Sequence, residues 1–134
     1  MDTDTAEHFA RAIRQDGRYP PEAYEFLHRG LEYTTRMVYG GQEVAGPRHV
    51  SGQQLCEGLR RLALELWGPL APLILRRWNI NRTRDFGEMV YLLIDLGLMG
   101  KQDSDRIEDF DDVYDFDQAF GSYEIPLDKF DQPD

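Results

Sequence analysis

Cysteine is almost missing from this chain. Cys56 stands alone, so no internal disulfide can form, and a lone thiol fits a reducing compartment. The first residues, MDTDTAEHF, have neither the basic start nor the apolar stretch of a secretion signal. No apolar run approaches the roughly 18 to 20 residues that span a bilayer. The expectation is a soluble, cytoplasmic protein with no membrane contact. Catalytic signatures are missing too. There is no G-x-S-x-G elbow and no Ser/His/Asp arrangement. The glycine-rich GGQEVAGP, residues 40–47, lacks both the preceding strand and the spacing of a phosphate loop. His8, His28 and His49 lie in three separate segments without the i, i+4 spacing of a zinc helix. Asp103 and Asp105 begin an acidic run, but Ile107 and Glu108 stand where a calcium loop needs Asp or Asn and then Gly. Cys56 and His49 form the one Cys/His pair close in sequence, and Cys56 borders an apolar helix face, which favours a buried structural thiol. No catalytic, cofactor-binding or metal-ligating residue is therefore assigned. A metal site assembled only by folding stays open.

What is present is an uneven charge. Residues 1–101 carry 13 Lys/Arg and 13 Asp/Glu, whereas residues 102–134 carry 12 Asp/Glu against Arg106 and Lys129. The net charge of −10 thus resides in the last quarter of the chain. At 134 residues one domain is expected, large enough to fold without a disulfide or a metal. The division is a helical body, 1–101, and an acidic, aromatic tail, 102–134, packing on it.

Apolar spacing predicts an all-α domain of about five helices with a partly docked tail. Ala6, Phe9, Ala10 and Ile13 share one face of a helix from Asp4 to Asp16 that Gly17 ends. Pro21 opens a second helix to Tyr39, where Tyr24, Leu27, Leu31, Thr34 and Val38 make one stripe and Phe26, Tyr33 and Met37 another. The region 49–100 holds both tryptophans and most of the leucines, so it is the expected core. Within it Ser51 is placed to cap a helix from Gly52 to Trp67 whose Leu55, Leu59, Leu62 and Leu66 form the buried stripe. Gly68-Pro69 breaks that helix. A short helix after Pro69 is expected to turn Leu70, Leu73, Ile74 and Trp78 inward, with Arg76 and Arg77 at its C-terminal end. Thr83 or Asp85 should cap a helix to Gly97, and its MVYLLI centre makes it the expected most buried helix. In the tail, Ser104–Phe110 and Asp115–Phe120 read as helical turns, with extended chain from Gly121 on. So many aromatics do not suit a solvated acidic tail.

The candidate interaction surface is arginine-rich. Arg60, Arg61, Arg76, Arg77, Arg82 and Arg84 form three clusters within 25 residues. The acidic tail is their natural counterpart, with Phe110, Tyr114, Asp115, Phe116, Asp117 and Phe120 as candidate contacts. The leading reading is a non-enzymatic interaction or regulatory protein whose protein partner and oligomeric state the sequence does not name. The alternative is a nucleic-acid-associated regulator, since Leu73–Trp78, the NINRT turn and the helix after it resemble a helix-turn-helix. That helix is too apolar to suit a groove. An enzyme or metal protein ranks last.

Three stretches, HVSGQQLCEGLRRLALELWGPLAPLILRRW, RTRDFGEMVYLLIDLGLMGK and DFDDVYDFDQAF, together with YPPEAYEFLHRGLEYT, resemble the Minf-type family of short bacterial proteins. The resemblance covers most of the chain apart from residues 40–47. It implies a bacterial single-domain protein in which VYDFDQAF belongs to the family pattern. The family brings no established activity, so no functional residue is carried over from it.

Overall fold

Gly17 shows how the chain sets its own boundaries. It takes a left-handed φ of 70° and donates its amide to the Ile13 carbonyl at 3.0 Å, ending the first helix. The computed structural model describes residues 3–42, 46 and 48–121. These form helices α1 (Thr3–Asp16), α2 (Pro21–Tyr39), α3 (Gly52–Trp67), α4 (Ala71–Arg77), α5 (Thr83–Asp95) and α6 (Phe116–Phe120). Single 3₁₀ turns occupy Gly68–Leu70 and Ile107–Phe110. The fold is all-α, with no strand among the described residues. Most of the GGQEVAGP loop centre and the extended chain expected after Gly121 lie outside the described residues.

The caps explain the boundaries of α2 and α3. Pro21 occupies the first turn of α2, where its missing N–H costs nothing. Ser51 Oγ accepts the Gln54 amide at 3.0 Å, and Gln54 Oε1 accepts the Ser51 amide at 2.9 Å. This reciprocal box starts α3. The two helices approach closely because each offers a glycine to the other. A Cβ on Gly30 would lie 2.1 Å from Leu59 Cδ2, and one on Gly58 would lie 1.7 Å from Thr34 Oγ1. Thr34 is fully buried, and its hydroxyl is satisfied by donating to the Gly30 carbonyl at 2.6 Å.

The core is centred on α3, contrary to the expectation for α5. Seven of the 16 residues of α3 are buried, against five of 13 in α5. In α5, Phe86, Met89 and Val90 are buried, whereas Tyr91 through Ile94 are only half-buried. Two leucine stripes also need correction. Leu66, Leu70 and Leu73 are 38%, 47% and 43% exposed. Leu66 lies in the last turn of α3; for Leu70 and Leu73 the cause is the 3₁₀ turn at Gly68–Leu70, where Gly68 has φ 53°. It delays α4 by one turn and rotates its face, so Ala71, Pro72 and Leu75 point inward instead. Trp78 is half-buried, in a ring cluster with Phe26 at 5.9 Å and Trp67 at 5.4 Å.

Asn79 carries the turn from α4 to α5 with φ 64°, a conformation asparagine tolerates. The start of α5 is served by Asp85, not by Thr83. The Asp85 carboxylate accepts the amides of Asn81 at 2.8 Å and Arg82 at 3.2 Å. It also accepts the Tyr19 hydroxyl at 2.7 Å.

Candidate functional site

Residues 107–120 reach the body through Phe110. Its ring sits against Gly52 at the start of α3 and Gly87 in α5. A Cβ on Gly87 would lie 2.8 Å from Phe110 Cβ and Cγ, and one on Gly52 would lie 3.0 Å from Phe110 Cε2. Glycine at position 87 leaves room that a Cβ would take from the ring, and the fit at Gly52 is nearly as tight. Thr83, absent from the cap, serves this junction. Its hydroxyl donates to the Phe110 carbonyl at 2.6 Å and accepts the Val113 amide at 3.1 Å. The 3₁₀ turn here is Ile107–Phe110, shorter than the helical Ser104–Phe110 expected from spacing.

Beyond it, Tyr114, Phe116 and Phe120 pack on one another, and Phe116 also packs on Phe86. Phe116 is 6.0 Å from Tyr114, 5.3 Å from Phe120 and 6.2 Å from Phe86 between ring centres. Phe110, Phe116 and Phe120 are buried. The Tyr114 hydroxyl donates to the Cys56 carbonyl at 2.7 Å. Burial pushes the Tyr114 hydroxyl well above the ordinary phenol range, so it is a neutral donor there. Cys56 itself is fully buried, and burial alone pushes its thiol up to about 12. A nucleophilic thiol needs exposure and a lowered value, and Cys56 has neither.

Four of the six candidate arginines are ion-paired with carboxylates of the same chain. Arg60 and Arg61 both bond to Glu57 one turn earlier on α3, at 2.6 Å and 3.2 Å. Arg84 bonds to Glu88 on its own helix at 3.0 Å and to Asp111 of the acidic segment at 2.9 Å. Arg76 reaches Asp117 at 3.2 Å. Arg77 and Arg82 are exposed, and their guanidinium groups have no carboxylate partner among the described residues. Of the proposed tail carboxylates, Asp117 therefore meets an arginine. Asp115 does not: it faces its own helix and accepts the Gln118 amide at 3.2 Å as the cap of α6. Asp111, which the sequence reading did not single out, takes the arginine contact instead.

Arg18 was also missed. It bridges Asp16 at 2.9 Å and Glu88 at 3.1 Å, and its carbonyl accepts from Asn79 Nδ2 at 3.1 Å. Asp16, Arg18, Glu88, Arg84 and Asp111 thus alternate in sign from the end of α1, across α5, to the acidic segment. Arg84 and then Arg18 hold the Glu88 carboxyl below the usual carboxylate range. The Asp16-x-Arg18 spacing and the i, i+4 spacing of Arg84 and Glu88 were its sequence traces.

Next to the Arg76–Asp117 pair lies an apolar face. Leu70, Leu73 and Arg77 follow at +3 and +4, so they share one side of α4 and its entry turn. All three are exposed. Among the described residues no group of three or more His, Cys, Asp or Glu could hold a metal ion, and no helix is long and apolar enough to cross a membrane. Comparison with family models, with curated proteins and with solved structures returned no match to this chain.

Proposed function

We propose that this protein is a non-enzymatic interaction module that presents the Leu70, Leu73 and Arg77 face of α4 to a protein partner. The observation that carries the reading is two large aliphatic side chains, 47% and 43% exposed, on the same helix face as an arginine without a carboxylate partner among the described residues. A short exposed apolar group edged by charge is the ordinary composition of a contact patch. The matching partner segment carries apolar side chains beside a carboxylate. Arg76, half-exposed and held by a still more solvated Asp117, can exchange that contact for a partner carboxylate at little cost. The reading also includes a reducing, cytoplasmic setting, supported by the single buried Cys56, and a bacterial origin with the Minf-type resemblance.

Nucleic-acid binding is less well supported. Phosphate contacts need arginines free of protein carboxylates, and four of the six candidates are ion-paired.

The test is site-specific photo-crosslinking in the native cell from position 73, with position 11 on α1 as control. The expected outcome is a discrete protein adduct at 73, absent at 11 and lost when Arg77→Glu is added. Equal labelling at both positions, or an adduct to RNA, sinks the reading. An adduct joining two copies of this chain identifies the partner as the protein itself.

A further inference from the structure

α6 packs against α4, and Arg76 in the last turn of α4 bonds to Asp117 in the first turn of α6. Gly121 ends α6 at φ 74° and ψ 154°, a conformation left to glycine, and turns the chain out of the helix. It lies one turn from Asp117, roughly 6 Å along α6. The chain therefore leaves α6 near the end of α4 that carries Arg77. Leu73 is one turn back along α4 from that end, roughly 4.5 Å from Arg76. Six extended residues, from Gly121 to Leu127, reach roughly 20 Å.

Residues 122–134 read SYEIPLDKFDQPD. Ile125 and Leu127 flank Pro126, which disfavours helix at Ile125. In extended chain these two side chains share a face about 6.6 Å apart. Leu70 and Leu73, at helical spacing, are separated by a similar roughly 5 to 6 Å. The segment carries Glu124, Asp128, Asp131 and Asp134 against Lys129, whereas α4 carries Arg76 and Arg77 and no carboxylate. Apolar side chains beside a carboxylate are the features that the α4 face selects in a partner.

We propose that residues 122–134 fold back over α4 and occupy its exposed face, with Ile125 on Leu73, Leu127 on Leu70 and Glu124 against Arg77. The order follows from the exit at Gly121, which puts Glu124 nearest the arginine end. A short tether holds the segment at an effective concentration on the order of millimolar, so a weak contact suffices. A protein partner must displace it. The docking itself needs no partner, but its regulatory consequence rests on the α4 face being the partner site.

The experiment places a photo-crosslinking benzophenone at position 73 of the full chain, purified and dilute, with position 11 on α1 as control. The expected product is an intramolecular adduct, running as a monomer, between position 73 and residues 122–134. Position 11 gives none. The yield falls roughly tenfold when Ile125→Asp and Leu127→Asp are combined. Arg77→Glu lowers it about threefold, the scale of an exposed ion pair. Adding Glu124→Arg restores it, a rescue that general loss of fold does not produce. In the native cell, the Ile125→Asp, Leu127→Asp chain gives at least about twofold more partner adduct from position 73. No adduct to residues 122–134, equal yield from position 11, or an adduct found only between two copies overturns the docking. Unchanged partner adduct in the Ile125→Asp, Leu127→Asp chain overturns the regulation. A partner adduct without the intramolecular one leaves the α4 reading standing and removes the docking. The intramolecular adduct without any partner adduct does the reverse.

Discussion

The hydroxyl of Thr83 donates to the carbonyl of Phe110, 27 residues later, at 2.6 Å. The same oxygen accepts the Val113 amide at 3.1 Å. One fully buried side chain in the first turn of α5 therefore satisfies two backbone groups of the acidic segment. Phe110, Phe116 and Phe120 follow it into the core. Removing everything after residue 102 would thus strip core residues, and such a truncation tests folding before it tests binding.

Thr83→Val keeps the shape and removes the hydroxyl. The Phe110 carbonyl and Val113 amide lose their partner in a largely buried place. The expected loss is about 1 to 3 kcal/mol in urea unfolding. A variant as stable as the parent would show that the junction is wet or formed differently.

Gly87→Ala places a methyl carbon where Phe110 Cβ and Cγ already lie, at 2.8 Å. Phe110 Cβ is tied to the backbone and cannot swing aside, so the acidic segment itself must shift. About 1 to 3 kcal/mol of stability should be lost, as for other overpacked sites. Gly97→Ala, on the left-handed but otherwise open Gly97, tests backbone strain alone. The two separate by protection of residues 107–120 in hydrogen exchange, which only the Gly87 variant should reduce.

Helix boundaries were legible where caps write them into the sequence. Pro21, Ser51 with Gln54, and Gly17 each fix an end by local chemistry, and α2 and α3 begin and end where spacing places them. Orientation was less legible. Leu70 and Leu73 lie at helical spacing, but which side of α4 faces inward depends on the turn at Gly68–Leu70, which periodicity does not encode. Apolar content also misled for α5, where four of the six MVYLLI residues, Tyr91 through Ile94, are only half-buried. The arginine and carboxylate clusters were visible as charges, but their pairing was not. Asp111 rather than Asp115 meets Arg84 because the segment's path is set by the Phe110 seat and Thr83, contacts between residues far apart in sequence.

Glu88 makes the acid limb of stability predictable in sign. Arg84 and Arg18 lower its proton affinity in the folded protein. The unfolded chain therefore takes up that proton at higher pH than the folded one. The stabilising contribution is complete above the ordinary glutamate value of about 4.3 and is lost as pH falls through the lower folded value. Glu88→Gln should flatten the fall in stability below about pH 4.3. Identical acid limbs in parent and variant would show that the Asp16–Arg18–Glu88–Arg84–Asp111 chain contributes nothing.

Cys56 should be inert. With the thiol fully buried and pushed up to about 12, a thiol-specific chromogenic disulfide should react only as fast as the protein opens. The rate should rise to that of a free thiol in denaturant. Rapid reaction of the folded protein would contradict the burial of Cys56.

Leu70→Asp and Leu73→Asp replace exposed side chains and should change stability by within about 0.5 kcal/mol. Leu70→Asp should nevertheless abolish the adduct formed from a crosslinker at position 73, and Leu73→Asp the adduct formed from one at position 70. Loss of fold in either variant would place these leucines in the core after all.

The central claim is that the acidic aromatic segment is part of the folded body, held by Thr83. Native-state hydrogen exchange of the Val113 amide, whose partner is the Thr83 hydroxyl, measures it most directly. Protection close to that of the α3 core amides, such as Leu59, is the predicted result, falling sharply in Thr83→Val. Exchange of Val113 at the rate of an open chain, while Leu59 stays protected, would contradict it.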